Sequence, residues 1–274
     1  MTIAMACYVV NDTFVKLSTH SVPAGQVLAL RGMGATLIIS AIALRSVRRE
    51  DWAIVWRPIV ALRCGLEITT ATFSVAALSL APLGLVTAVT MMAPLMVGVS
   101  VVAMGWEPFR RRRVAALLSG FAGVLLVIGP VAGGEVGWGA ALSVLCAASL
   151  AARDLVTRHL PQEISSAAMA LLATASVTLA GFAMGLTEDW RPLSGLEVGL
   201  LLAAAVFTAL GNYALIAGCR GVDLSVVTPF RYTNILWALL LGYLVWEEVP
   251  GAIAIAGICL IAVSGIASMR AGRS

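Results

Sequence analysis

Charged side chains are scarce in this sequence. Only 12% of its 274 residues are Asp, Glu, Lys or Arg, about half the share usual in a soluble domain. The two histidines, His20 and His159, have no partners at metal-ligand spacing, and the five cysteines stand singly. No metal site, disulfide framework, hydrolytic constellation or glycine-rich ATP-binding loop is indicated. We therefore expect neither an enzyme nor a cofactor-dependent protein. Any process that needs energy must be driven by a gradient or by exchange, because no ATP-binding loop is indicated.

The sequence instead has apolar runs of about 17–22 residues from end to end, with 60% hydrophobic residues in all. A helix of that length crosses about 30 Å of hydrocarbon, and within lipid a helix satisfies its own backbone amides. The pattern predicts an all-α membrane protein with ten transmembrane helices. The predicted spans are 2–19, 26–44, 59–79, 83–104, 114–131, 137–154, 164–186, 196–217, 224–245 and 251–268.

The net charge of +4 does not indicate nucleic-acid binding, because the basic residues sit mainly in short connectors. With ten spans, thirteen of the eighteen Lys and Arg residues fall on the side that holds both termini. Lys16 and Arg191 border the opposite side. Basic connectors stay in the cytoplasm, so both termini are predicted to be cytoplasmic.

The chain contains an internal repeat. Trp106-Glu107 closes the fourth predicted span and Trp246-Glu247 closes the ninth, 140 residues later. Five spans per copy is an odd number, so the copies insert in opposite directions. We predict one membrane domain made of two inverted five-helix repeats, 1–131 and 137–268, with the binding site near the midplane between them.

Several segments together resemble EamA-type members of the drug/metabolite transporter superfamily. They are "LALRGMGA", "ALSLAPLGLVTAVTMMAPLMVGVSVVAMGWE", "SGFAGVLLVIGP" and "TPFRYTNILWALLLGYLVWEEVP". The resemblance implies ten helices in two inverted repeats, a bacterial inner (plasma) membrane, and transport of small organic solutes in either direction. The second copy departs from the family pattern, because it has Asn234 where the first copy has Pro94. The positions that match the family pattern are Arg31, Pro94, Glu107, Arg231, Tyr232 and Glu247.

Arg231 is the most informative polar residue within a predicted span. A charge at the bilayer centre costs about 2.5–3.5 kcal/mol on insertion scales. Either its stem reaches toward the interface, or it faces a solvated cavity and pairs with a carboxylate or phosphate of a substrate. Tyr232 is then a hydrogen-bond donor, Asn234 shares Arg231's face at i+3, and Trp237 lies deeper.

Two further charged pairs have the i, i+4 spacing that lets a helix neutralise itself. Arg63 and Glu67 form one, and Asp12 and Lys16 form the other. Alternatively, Glu67 or Asp12 binds a substrate ammonium or carries a coupling proton. Arg31 either anchors its helix at the outer interface or pairs with Asp12.

The remaining candidates lie in other spans. Asn212 and Tyr213 either line the same cavity or hydrogen-bond between helices as packing contacts. Pro94 and Pro229 interrupt the fourth and ninth spans and are candidate hinges. "GFAMG", Gly181 to Gly185, predicts a helix-packing face.

The predicted function is secondary active transport of a small zwitterionic or anionic metabolite by alternating access. The predicted partners are that solute and the lipid bilayer, without nucleic acid. A lipid flippase or drug exporter of the same fold is the alternative. The sequence leaves open proton coupling, the direction of transport, and the choice between monomer and homodimer.

Overall fold

The computed structural model describes residues 2–43, 57–105, 111–128, 134–160, 166–219 and 231–273. These ranges contain α-helices and no strand, which confirms the all-α class. The eleven helices are α1 (Thr2–Thr19), α2 (Ala24–Ala43), α3 (Pro58–Leu80), α4 (Leu83–Thr90), α5 (Ala93–Ala103), α6 (Arg111–Ile128), α7 (Gly134–Arg158), α8 (Ser166–Met184), α9 (Gly195–Cys219), α10 (Thr233–Trp246) and α11 (Ala252–Arg273).

Length and hydropathy suit most of these helices to a bilayer. Within the described ranges, five segments are long and apolar enough to cross one. They are Ala24–Ala41, Pro58–Leu80, Leu83–Ser100, Val136–Thr157 and Ala167–Met184. Four more helices contain shorter apolar stretches, and α1 carries Asp12 and Lys16 within its length. The chain is a multi-pass membrane protein.

The fourth predicted span, 83–104, consists of two helices rather than one. Helix α4 ends at Thr90, and α5 begins at Ala93 with Pro94 in its first turn. Proline has no N–H to donate to the carbonyl four residues earlier, here that of Thr90, and its ring clashes with that carbonyl. Pro94 therefore interrupts this span, as predicted. Whether it acts as a hinge stays a prediction, and Pro229 lies outside the described residues.

Helix α10 shows how these helices divide between core and lipid. Its buried side includes Ala238, and its opposite side exposes Leu236 at 67% and Leu244 at 64%. An apolar face this exposed is unfavourable in water and favourable in lipid. The polar Asn234 lies on the buried side. The helix thus has one face suited to acyl chains and one face suited to its neighbours.

The closest helix pairings follow a regular scheme. The most extensive contacts are α1 with α9, α2 with α8, α3 with α7, and α6 with α11. The five predicted spans of the first half can be exchanged, in order, with the five spans of the second half. After this exchange the contact between α1 and α9 becomes the contact between α7 and α3. The contacts of α2 with α8 and of α6 with α11 are unchanged. This is the pairing expected of two related halves packed about a twofold axis.

Glycine allows the backbones of α2 and α8 to approach closely. A Cβ atom at Gly181 of α8 would lie 2.8 Å from the Ala29 Cα atom and 2.9 Å from the Leu28 carbonyl carbon, both on α2. Backbone atoms cannot rotate aside as a side chain can. Small residues at such crossings are how membrane helices pack tightly. The "GFAMG" segment is therefore a helix contact at Gly181, as predicted.

Gly181→Ala is expected to destabilise the protein by about 1–3 kcal/mol, because the added methyl forces α2 and α8 apart. Thermal unfolding of the purified protein in detergent measures the loss. Gly199→Ala is the matched control, since a Cβ at Gly199 of α9 meets no atom within 4 Å. Alanine's higher helix propensity should make that control neutral or slightly stabilising. Equal melting temperatures for the two variants would contradict the close crossing.

Candidate functional site

Charged side chains from three elements of the two halves meet inside the helix bundle. We name this set the arginine cluster. Two members lie on α3, two lie near the end of α7, and one lies in the turn before α10. All have side chains less than one third exposed. The members are Arg63, Glu67, Arg153, Asp154 and Arg231.

Glu67 bridges two arginines. Its Oε2 atom accepts a hydrogen bond from Arg63 Nη1 at 2.7 Å. Arg153 Nη1 donates to Glu67 Oε1 at 3.2 Å and to Oε2 at 3.4 Å. The predicted intrahelical pair of Arg63 and Glu67 is therefore present. A third charge from the other half of the chain, Arg153, also binds the same carboxylate.

Asp154 connects this pair to Arg231. Arg153 Nη2 donates to Asp154 Oδ1 at 3.0 Å, and Arg231 Nη1 donates to Asp154 Oδ2 at 3.4 Å. The latter distance is long for a charge-assisted bond, which is usually about 2.7–2.9 Å. Among its described contacts, Arg231 is thus held by a single weak bond. Its guanidinium has further donors available to another anion.

The charges of the arginine cluster do not balance. Among the residues that the structure describes, three guanidinium groups face two carboxylates here. Attraction and repulsion between charges are both stronger in a low-dielectric interior than in water. The cluster therefore favours a further negative group. Arg231 makes one long described bond, and Arg63 makes one bond and keeps a buried Nε without a described partner, so both have unused donors.

A second polar group lies between α1, α2 and α9. Arg31 Nη1 and Thr208 Oγ1 donate to Asn11 Oδ1 at 3.2 and 2.8 Å. Asn11 Nδ2 in turn donates to Asp12 Oδ1 at 3.0 Å. Arg31 therefore reaches Asp12 through Asn11, and it also interacts electrostatically with Glu67 of the arginine cluster. The two polar groups are close enough for their charges to interact.

The predicted i, i+4 pairing of Asp12 with Lys16 is wrong. Lys16 Nζ binds Glu248 Oε1 at 2.5 Å instead. The spacing is correct for a helix pair, but Glu248 follows the end of α10 and offers Lys16 a carboxylate from another part of the chain. Asp12 is left with Asn11 and the nearby charge of Arg31.

The other candidates are not brought into these contacts. Tyr232 is 5% exposed, and its hydroxyl lies against Gly265 of α11. Asn234 is 8% exposed, and Trp237 packs against the hydrophobic core. Tyr232 Oη and Asn234 Oδ1 have no hydrogen-bond partner in the described ranges. The side chains of Asn212 and Tyr213 lie outside the described residues.

Arg153 and Asp154 are site residues that the sequence analysis missed. The sixth span was predicted as 137–154, and Arg153, one residue before its end, was counted with the basic residues on the cytoplasmic side. Helix α7 continues to Arg158, so Arg153 lies more than a turn from its end and inside the bundle. The available signal was an Arg-Asp doublet at the end of an apolar run. It is weak, because such doublets also begin connectors.

Comparisons with known proteins agree with this architecture. The EamA-like transporter family model matches residues 137–269. A solved crystal structure superposes with a TM-score of 0.70 at 20% sequence identity, covering 99% of this chain and 96% of that chain. At that identity the likeness shows the fold alone.

Two curated relatives are transporters by name. The chain is 33% identical over 153 residues to the pseudopaline exporter of Pseudomonas aeruginosa, covering 54% of this chain and 52% of the exporter. It is 28% identical over 201 residues to the riboflavin transporter of Rhizobium johnstonii, covering 72% of this chain and 65% of that protein. The chain thus aligns with about half to two thirds of the length of these relatives. Both names describe transport, and the matched family is one of transporters. The resemblance described above is confirmed over residues 137–269, where the EamA-like transporter family model matches.

Proposed function

We propose that the protein is a secondary active transporter for a small organic solute that carries at least one anionic group. The solute binds where Arg231, Arg153 and Glu67 bring the two halves of the chain together. The observation that carries this proposal is the excess of guanidinium over carboxylate in the arginine cluster. Ionisable groups inside the helix bundle of a membrane protein typically belong to a substrate or ion pathway.

Arginine suits this role because its planar guanidinium presents donors in a fork that matches carboxylate and phosphate. When a solute anion binds Arg231, it takes over from the long contact with Asp154. Asp154 then stays neutralised by Arg153, which already donates to it through Nε and Nη2. Binding thus exchanges one weak ion pair for a stronger one and leaves no buried carboxylate alone.

Alternating access follows from the proposed inverted repeat. The helix pairings are preserved when the two halves are exchanged, as expected for halves that rock against one another around a shared site. The arginine cluster joins α3 of the first half to α7 and Arg231 of the second. Movement of one half relative to the other therefore changes its geometry directly.

We place the protein in a bacterial inner membrane with both termini in the cytoplasm. The support is the concentration of arginine in the connectors on one side of the predicted topology. In that orientation the arginine cluster lies toward the cytoplasmic half, because Arg63 and Glu67 are in the first turns of α3 and Arg153 is in the last turns of α7.

The two relatives carry quite different molecules by name, so the proposal specifies a chemical group and not one metabolite. A zwitterion is compatible with the site, since Asp12 lies near Arg31 and offers a carboxylate to an ammonium group. If transport is coupled to protons, we assign the coupling proton to Asp12, which is the carboxylate of the second polar group.

Transport into proteoliposomes tests the function. A metabolite that stabilises the purified protein in a thermal-shift screen is expected to enter vesicles with saturable kinetics and to show counterflow. Empty vesicles are the negative control. Vesicles with the neutral Gly199→Ala variant are the positive control. Flux that never saturates would indicate a channel. Movement of fluorescent lipids without solute uptake would indicate a flippase, and either result would overturn the proposal.

A further inference from the structure

One half-buried carboxylate ties together three helix ends, at the end of α10 opposite to Arg231. Glu248 Oε1 binds Lys16 Nζ at 2.5 Å, and Glu248 Oε2 accepts a hydrogen bond from the Leu83 backbone N–H at 3.1 Å. Lys16 is near the end of α1, Leu83 begins α4, and Glu248 follows α10. We name Lys16, Leu83 and Glu248 the outer cluster, because in the proposed topology all three helix ends lie on the outer side.

The contacts of the outer cluster are shielded from solvent. The Lys16 side chain is only 8% exposed, and Glu248 is 24% exposed. Lys16 Nζ also lies 4.5 Å from the centroid of the Trp246 ring, within range of a cation–π contact. By comparison, Arg191 in the nearby ion pair with Glu197 is 43% exposed. A partly buried pair is weakened less by salt and water than an exposed one.

The backbone reverses direction directly after α10, and this turn positions Glu248. Glu247 has a φ of 56°, the left-handed region that non-glycine residues rarely adopt. The Glu247 N–H donates to the Tyr243 carbonyl at 3.0 Å, and the Glu248 N–H reaches back to the Gly242 carbonyl at 3.1 Å. This reversal ends the helix sharply and turns Glu248 toward α1 and α4.

The negative charge of Glu248 is favourable where it lies, at the N-terminus of α4. Leu83 is the first residue of that helix, and its N–H has no partner within the helix. A negative charge at a helix N-terminus is stabilised by the free N–H groups and the helix dipole. Loss of the Glu248 charge therefore weakens its contact with α1 and its contact with α4 together.

We propose that the outer cluster is the gate that closes the transport pathway on the outer side. The inference rests on the proposed transport by alternating access. Lys16 and Leu83 belong to the first half of the chain and Glu248 to the second, so the contact holds the halves together at this end. In the present structure the gate is closed. Opening to the outside separates Glu248 from both partners and frees the buried face of α10 that contains Ala238 and Gly242.

Labelling from the outside tests the gate without any transport measurement. In a variant whose native cysteines are replaced, Ala238→Cys is the reporter, because Ala238 is fully buried one turn inward from Gly242. Right-side-out vesicles are treated with a membrane-impermeant maleimide. Adding Glu248→Gln is expected to raise the labelling rate of the reporter at least about tenfold. A tenfold change corresponds to a loss of about 1.4 kcal/mol from the closed state, as expected when the charged contacts to Lys16 and to the Leu83 N–H are both weakened.

Three controls separate gating from unfolding or from a general charge effect. Glu247→Gln removes the adjacent, exposed carboxylate and should leave reporter labelling unchanged. Val249→Cys, 73% exposed, should label equally with and without Glu248→Gln. Ile261→Cys, on the fully buried face of α11, should stay unlabelled in every variant that is folded.

A second variant protects the test against poor folding of the first. Lys16→Met should also raise reporter labelling. The exchanged pair Lys16→Glu with Glu248→Lys should lower it only in part, because it restores the ion pair between α1 and residue 248 but not the acceptor for the Leu83 N–H. Unchanged reporter labelling in both Glu248→Gln and Lys16→Met would overturn the gate, even if the protein transports normally. Increased labelling in a protein that transports nothing would support the gate as a moving contact and overturn only the proposed function.

Discussion

Replacing Arg231 by alanine is expected to reduce uptake at low solute concentration by at least about thirty-fold while leaving membrane insertion intact. Loss of one partner from a buried charged pair costs about 2–5 kcal/mol, and 2 kcal/mol corresponds to about that factor. Arg231→Lys keeps the charge and loses the fork of donors, so its uptake should be intermediate. Initial uptake rates in proteoliposomes of equal protein content measure both variants.

Arg111→Ala is the matched control for Arg231→Ala, because Arg111 is an exposed arginine at the start of α6. It should transport as the parent protein does. Size-exclusion chromatography in detergent establishes that each variant is folded and monodisperse. Parental uptake by a correctly inserted Arg231→Ala variant would show that the solute binds elsewhere.

Glu67→Ala is expected to destabilise the protein by about 3–5 kcal/mol, the usual cost of removing one member of a buried ion pair. Glu67 is the shared acceptor of Arg63 and Arg153, whose side chains are 15% and 18% exposed. Without it, the two guanidinium groups repel one another across the interface between the halves. Thermal or denaturant unfolding in detergent measures the loss.

The double variant Arg63→Met with Glu67→Met distinguishes charge imbalance from lost packing. It removes one positive and one negative charge, and Arg153 keeps Asp154 as its partner. Replacing both members of a buried pair by apolar residues is often neutral. The double variant should therefore be more stable than Glu67→Ala alone. The reverse order of stability would contradict the role assigned to Glu67.

Sequence was sufficient for the features that depend on local chemistry. Apolar runs of bilayer length gave the helices, because each helix satisfies its backbone within one segment. The Arg63–Glu67 pair and the break at Pro94 were also predictable, since both follow from the geometry of a single helix. The family resemblance followed from four short segments in a fixed order, of which the one at residues 228–250 lies within the family match over residues 137–269.

Contacts between distant segments were not predictable in the same way. Lys16 was paired with Asp12 because i, i+4 spacing is visible in a sequence. Glu248, 232 residues away, became its partner only through the packing of α1 beside α10. Arg153 was counted with the cytoplasmic connectors because it lies one residue before the predicted end of the sixth span, residue 154, whereas α7 continues to Arg158. An error of four residues at a helix end is ordinary, yet here it moved a central guanidinium out of the site.

The central claim is that a negative group of the solute binds Arg231 between the two halves. Its most direct test compares ligand pairs that differ only in charge, such as a carboxylic acid and its amide, by thermal shift of the purified protein. We predict that the acid raises the melting temperature of the parent protein, that the amide does not, and that Arg231→Ala loses the difference. An amide that stabilises the parent as much as its acid would contradict the claim.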